Sequence, residues 1–228
     1  MTWVVQSRAV GPECHPVDVP LRATARESKH MQFVPFEEGI EVIGLAVRSV
    51  LDGFSQFAVL ASAYLLDEGI GRPGPSGVAH LELDAWYSQR AWLLCFQQIS
   101  RQLGDGVVTQ IGMAVPRNAT FPPGAQDIHG ALKSLDVAYH MNHRKHGRPM
   151  FDPGTGRMEE GIGHYGYEPV RGQRRIISVC ATPYPCAFDM GILMSLSRRY
   201  ERGVRVTHDE SKPCRKNGGP HCTYVLSW

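Results

Sequence analysis

The sequence predicts an α+β fold: N-terminal helices packed on a C-terminal antiparallel sheet, with one helix inserted between strands. Three observations carry this. Apolar residues recur at threes and fours over most of the stretch between Glu37 and Gly147, the spacing of amphipathic helices. Beyond Gly147, short apolar runs alternate with turns rich in Gly and Pro, the punctuation of antiparallel strands. Between two of those runs Phe188, Ile192, Leu193, Leu196 and Tyr200 return to helical spacing. A chain of 228 residues, 43% of them hydrophobic, can bury one sizeable core. The expected organisation is an irregular arm over 1–37, interrupted by Pro12, Pro16, Pro20 and Pro35, followed by one ligand-binding domain over 38–228. That domain reads as mostly helical over 38–147 and mostly sheet over 148–228.

The elements follow in order. A long amphipathic helix is expected from Glu37 to Leu66, ended by Gly69 and the Arg72-Pro-Gly-Pro-Ser-Gly77 turn. A second, with Asp84 as N-cap candidate, carries the aromatic stripe Trp86, Trp92 and Phe96 to Gly104. The run Val107 to Val115 fits a short helix or a strand. After a loop over 116–126, a third helix spans Asp127 to His146. Phe151 to Arg157 reads as a tight turn between strands. Strands are expected at 158–167, 175–180, 204–207 and 223–228, with a helix from Phe188 to Tyr200.

Composition narrows the function. A net charge of +2, with no basic block longer than a pair, argues against a nucleic-acid partner. The apolar region near 40–66 is broken by Glu41, Arg48, Asp52 and Gln56, so no membrane span is expected. Met1 to Arg8 lacks the pattern of a signal peptide, and a cytoplasmic location follows as the expectation. In a reducing compartment the six cysteines read as free, buried or metal-bound.

Two constellations can carry chemistry. Cys186, Cys214 and Cys222 lie near His208, Asp209, Glu210 and His221, all of metal-ligating type. The Cys-x7-Cys spacing is loose, and buried free cysteines are the competing reading. The other constellation is His140, His143 and His146, which can share faces of a helix, with His164, Glu159 or Glu160 as further ligands from the following hairpin. Against it stands a plain polar helix end. The segment Gly161 to Tyr167 opens no helix after a strand, so it is not a nucleotide fingerprint; its glycines mark a bulge or a close approach. Cys14-His15 has no neighbour at metal spacing.

Pro185-Cys186-Ala-Phe-Asp-Met-Gly191, a helix, a strand ending in acidic residues, then Cys214 and a Gly-rich turn to Cys222-Thr-Tyr-Val resemble the C-terminal half of 4-vinyl-reductase-type ligand-binding domains. Their superfamily also holds haem nitric-oxide-binding domains and Golgi transport-particle subunits. The resemblance covers roughly 100–228. It implies a homodimeric, sensor-like domain for a small-molecule ligand, with zinc at Cys186, Cys214, Cys222 and an acid, assigned here to Glu210. The acid does not stand where the family's pattern places it, and Asp209 and His208 compete for the role. Pocket candidates are Trp92, Phe96, Tyr139, His140, His143, His164 and Tyr165. The alternative is a metalloenzyme or haem-dependent protein, with haem or iron held by His140, His143 and His164.

Overall fold

The computed structural model describes residues 31–54 and 57–228. Most of the expected N-terminal arm, with Cys14-His15, lies outside the described residues. The described chain is α+β, as the sequence predicts, but its first regular element is a strand. β1 (Ile40–Ile43) occupies the start of the long helix expected over 37–66. Ile40 and Val42 are buried while Glu41 and Ile43 are half-buried, so this stretch satisfies period two as well as helical spacing, and pairing decides. Three short helices follow: α1 (Gly44–Val47), α2 (Ser49–Phe54) and α3 (Ala58–Asp67). Gly44 permits the transition, because a Cβ there would stand 2.1 Å from the Glu82 carbonyl oxygen.

β2 (Arg72–Pro73) and β3 (Ala79–His80) form a hairpin around the Pro-Gly turn. β4 (Trp86–Ser88) pairs antiparallel with β1, so Trp86 belongs to a strand rather than to the second helix. That helix, α4 (Gln89–Leu103), is capped by Ser88 and not Asp84: the Ser88 Oγ accepts from the Ala91 N–H at 3.4 Å. α5 (Asp105–Asn118) resolves the ambiguous 107–115 run as helix and extends it into the expected loop.

The helix expected over 127–146 divides into α6 (Ile128–Lys133), α7 (Leu135–Met141) and the strand β5 (His143–Lys145). Asp127 caps α6 through the Gly130 N–H at 2.7 Å. Asn142 ends α7, its side-chain amide donating to the carbonyls of Ala138 and Thr120, both at 2.7 Å. β5 pairs with β1 and turns through His146 and Gly147, both at positive φ, into β6 (Arg148–Pro149). His143 therefore shares no helix face with His140.

The Phe151-to-Arg157 turn joins β7 (Phe151–Asp152) to β8 (Arg157–Met158). The larger sheet contains β9 (His164–Tyr165), β10 (Glu168–Pro169), β11 (Arg175–Ala181), β12 (Arg205–His208) and β13 (Cys222–Ser227). Its order is β10-β11-β13-β12, with β9 also on β11 and every pair antiparallel. α8 (Cys186–Arg198) runs between β11 and β12. Among the described residues no helix is long and apolar enough to cross a membrane.

α8 crosses α5 at two glycines. A Cβ on Gly112 would meet the Phe188 carbonyl oxygen at 2.2 Å, and one on Gly191 the Thr109 carbonyl oxygen at 2.2 Å. Both obstacles are backbone, which cannot rotate away, so the helices touch main chain to main chain. Gly191→Ala and Gly112→Ala should each destabilise the fold by at least the roughly 1–3 kcal/mol of an overpacked core, read as a lower urea midpoint; unchanged midpoints would contradict this crossing.

Candidate metal centre and interior cavity

Cys186 is the first residue of α8, after Pro185 has set an extended entry. Cys222 opens β13, and His208 closes β12 opposite Tyr224. Cys214 begins a loop whose Gly218 adopts φ 79° and whose Gly219 N–H returns to the Cys214 carbonyl at 2.9 Å. That turn brings Cys222 back beside Cys214. The sulfur separations are 3.2 Å from Cys186 to Cys222, 3.4 Å from Cys186 to Cys214 and 3.8 Å from Cys214 to Cys222. A tetrahedral zinc with bonds of about 2.3 Å to sulfur sets its sulfurs about 3.8 Å apart. One ligand atom from each of Cys186, His208, Cys214 and Cys222 lies within 4.8 Å of all the others.

The fourth member is His208, not Glu210. Glu210 is exposed and lines an outer groove of ≈ 660 Å³ beside the cluster. β pairing explains the difference: His208 is the last residue in register with β13, and the chain turns away after Asp209. The His208 Nε2 is buried without a hydrogen-bond partner among the described residues. The Cys222 thiol is pushed down, first by the hydrogen bond from Cys186 and then by the Arg215 N–H at 3.5 Å. Cys186 is pushed up by the same bond. Cys186 and Cys222 hold their protons unequally, with Cys222 the one favoured as thiolate.

The second feature is an apolar cavity of ≈ 40 Å³ inside the fold, lined by Val42, Trp92, Tyr139, His143, Tyr165, Tyr184 and Phe188 among others. Of the sequence candidates, Trp92, Tyr139, His143 and Tyr165 reach it. Phe96 does not line it but packs behind, with ring centroids 5.0 Å from Trp92 and 4.7 Å from Phe188. His140 and His164 lie elsewhere, beside Asp136. Tyr184, Phe188 and Asp189 were not anticipated; Tyr184 stood in the Pro183-Tyr-Pro185 punctuation, where it read as turn.

His143 has both ring nitrogens engaged, with the Tyr139 carbonyl at 2.6 Å and the Tyr184 hydroxyl at 2.8 Å. Burial drives it down to about 3, so it is a neutral core histidine. Asp189 accepts from the Tyr165 hydroxyl at 2.5 Å and from the Thr182 hydroxyl at 2.9 Å. Burial pushes its carboxyl up to about 8. Their effects on stability oppose. His143 contributes stability that is present above pH 6.5 and lost as pH falls toward 3, because the unfolded chain then binds the proton. Asp189 binds its proton in the folded state, so its contribution is present below pH 3.8 and lost as pH rises to about 8. Asp189→Asn should thus expose the histidine slope, up to about 1.4 kcal/mol per pH unit, as unfolding free energy rising from pH 3 to 6.5 more steeply than in the parent. Equal slopes in urea titrations of both proteins would refute the assignment.

No protein-family model matches the chain, and no curated protein does. Solved structures do. An H-NOX protein from S. oneidensis in the Fe(II)NO ligation state is 13% identical over 81% of this chain and 98% of its own, with a TM-score of 0.53. An oxygen-binding H-NOX domain related to soluble guanylate cyclases is 13% identical over 81% and 91%, with a TM-score of 0.52. An Fe(II) unliganded H-NOX protein from K. algicida is 11% identical over 81% and 95%, with a TM-score of 0.51. At such identities the likeness to these H-NOX structures is one of fold alone, and no comparison bears on the resemblance to 4-vinyl-reductase domains.

Proposed function

We propose that this chain is a small-molecule-binding, sensor-like domain that encloses a small apolar ligand and is stapled by zinc. The observation that carries the ligand reading is the cavity itself. It is apolar, and the polar groups that line it, His143 and Tyr184 with Tyr139, Asn142 and Tyr165, already have hydrogen-bond partners. A cavity of ≈ 40 Å³ exceeds the roughly 10–15 Å³ that one water needs and falls short of the roughly 300–1,000 Å³ of drug-sized sites. Its occupant has a few heavy atoms, or enters by moving Trp92 or Tyr184. The fold likeness to proteins described with NO and oxygen supports a small ligand.

Zinc fits the Cys186, His208, Cys214 and Cys222 group by donor type and spacing. With four protein ligands the shell is closed, which makes the ion structural. It would tie the first turn of α8 to β12 and β13.

The H-NOX-like fold favours a second reading, haem dependence. The interior in this chain does not fit that group. Trp92, Phe96, Tyr184 and Phe188 fill the space between helices with ring contacts of 4.7 to 6.1 Å, and His143 keeps no free nitrogen.

Two measurements test these readings. Xenon should shift the chemical shifts of groups lining the cavity and raise the melting temperature, and Ala46→Leu, which fills the cavity, should abolish both responses; a response that survives filling places the ligand elsewhere. Purified protein should carry zinc and show no Soret band, and Cys214→Ser or His208→Ala should lose that zinc while Glu210→Gln retains it. At free zinc a thousandfold above Kd the ion adds about 4 kcal/mol of stability, so chelation should lower the melting temperature. Thiolate-bound metal that persists in Cys214→Ser would overturn the zinc-stapled reading, and a Soret band would overturn the reading against haem.

A further inference from the structure

Asp136 and His140 stand four residues apart on α7, and β9 lays His164 across them. One ligand atom from each lies within 4.8 Å of the other two. The His164 Nδ1 is 2.9 Å from the Asp136 Oδ2, and the two imidazole rings lie 5.0 Å apart between centroids, tilted by 33°. That 2.9 Å contact is a hydrogen bond whose acceptor is the carboxylate, and a metal bound there would take the place of its proton.

His140 points independently to a ligand. Its side chain is 0% exposed. The Nδ1 donates to the Asp136 backbone carbonyl at 2.8 Å, which leaves Nε2 as the nitrogen with the lone pair. That Nε2 is buried without a hydrogen-bond partner among the described residues. An imidazole whose other nitrogen is anchored to a carbonyl is the usual state of a metal-binding histidine, and leaving its acceptor dry costs stability unless something binds there.

The surroundings complete the arrangement. The His164 Nε2 is 3.2 Å from the Glu160 carboxylate, so His164 can bind through Nδ1 while donating its other proton to Glu160. Asp136 is held by the Tyr165 N–H, which donates to its Oδ1 at 2.9 Å. The His164 side chain is 39% exposed, so one side of the cluster opens to water.

We propose that Asp136, His140 and His164 form a second metal site, separate from the cysteine group, which holds a divalent first-row transition metal with open coordination positions and has Glu160 as the residue positioning His164. Two histidines and one carboxylate with open positions suit iron(II). The site shares no residue with the cysteine group and does not depend on zinc being bound there.

Cobalt(II) titrated anaerobically into chelator-stripped full-length protein separates the two sites, because only thiolate ligands give an intense sulfur-to-cobalt charge-transfer band. The parent should take up two equivalents, one of them without that band. His164→Ala should lose only the equivalent without the band, and Cys214→Ser with Cys222→Ser only the one with it. Glu160→Gln should weaken the second site by roughly 10–100-fold, as expected for loss of a residue that orients a ligand. Circular dichroism and melting curves confirm that His164→Ala is folded. A parent that binds only the equivalent with the charge-transfer band, or a second equivalent untouched by His164→Ala, would overturn the site, whereas absence of the charge-transfer band alone bears on the zinc reading.

Discussion

The close crossing of α5 and α8 at Gly112 and Gly191 is the constraint on which the rest of the structure depends. Because the backbones touch there, α8 lies deep enough to be buried on both sides, with α5 on one and the larger sheet on the other. Phe188 and Ile192 then reach the aromatic interior, and Asp189 is carried into a place no water reaches. The first turn of the same helix delivers Cys186 to the ends of β12 and β13. A side chain at either glycine would push the helix outward and move all three features together.

The polar interior follows from that depth. A carboxylate at Asp189 is costly without partners, and Tyr165 from β9 and Thr182 from the end of β11 supply two hydroxyl donors. His143 is treated likewise by Tyr139 and Tyr184. These groups tie the helical layer to the sheet by direction-specific bonds, which distinguishes them from the His140 Nε2 and His208 Nε2, buried without a hydrogen-bond partner among the described residues.

Legibility in the sequence depended on whether a signal was local. The turn at Asp152 to Gly156, the strand 175–180 and the helix after Pro185 depend on dihedral preference and on a single period, and the structure places them close to expectation. The helix over 37–66 failed because Ile40 and Val42 suit both periods, and only pairing with Trp86–Ser88 and His143–Lys145 chooses between them. His143 was read onto a helix face for the same reason. The metal-ligating types were visible as types. Glu210 was favoured by resemblance, while His208 is selected by strand register, which no spacing rule encodes. Asp136 was overlooked although its four-residue offset from His140 is a helical neighbour relation.

By itself the sequence determined the layer order and the helix inserted between strands, since each follows from residue type and short-range geometry. Only the tertiary structure decided which histidine joins the cysteines, that His143 is sealed by two bonds, and that Asp136, His140 and His164 converge. Those outcomes turn on strand register and on how closely two helices approach, and both arise from contacts between residues far apart in the chain.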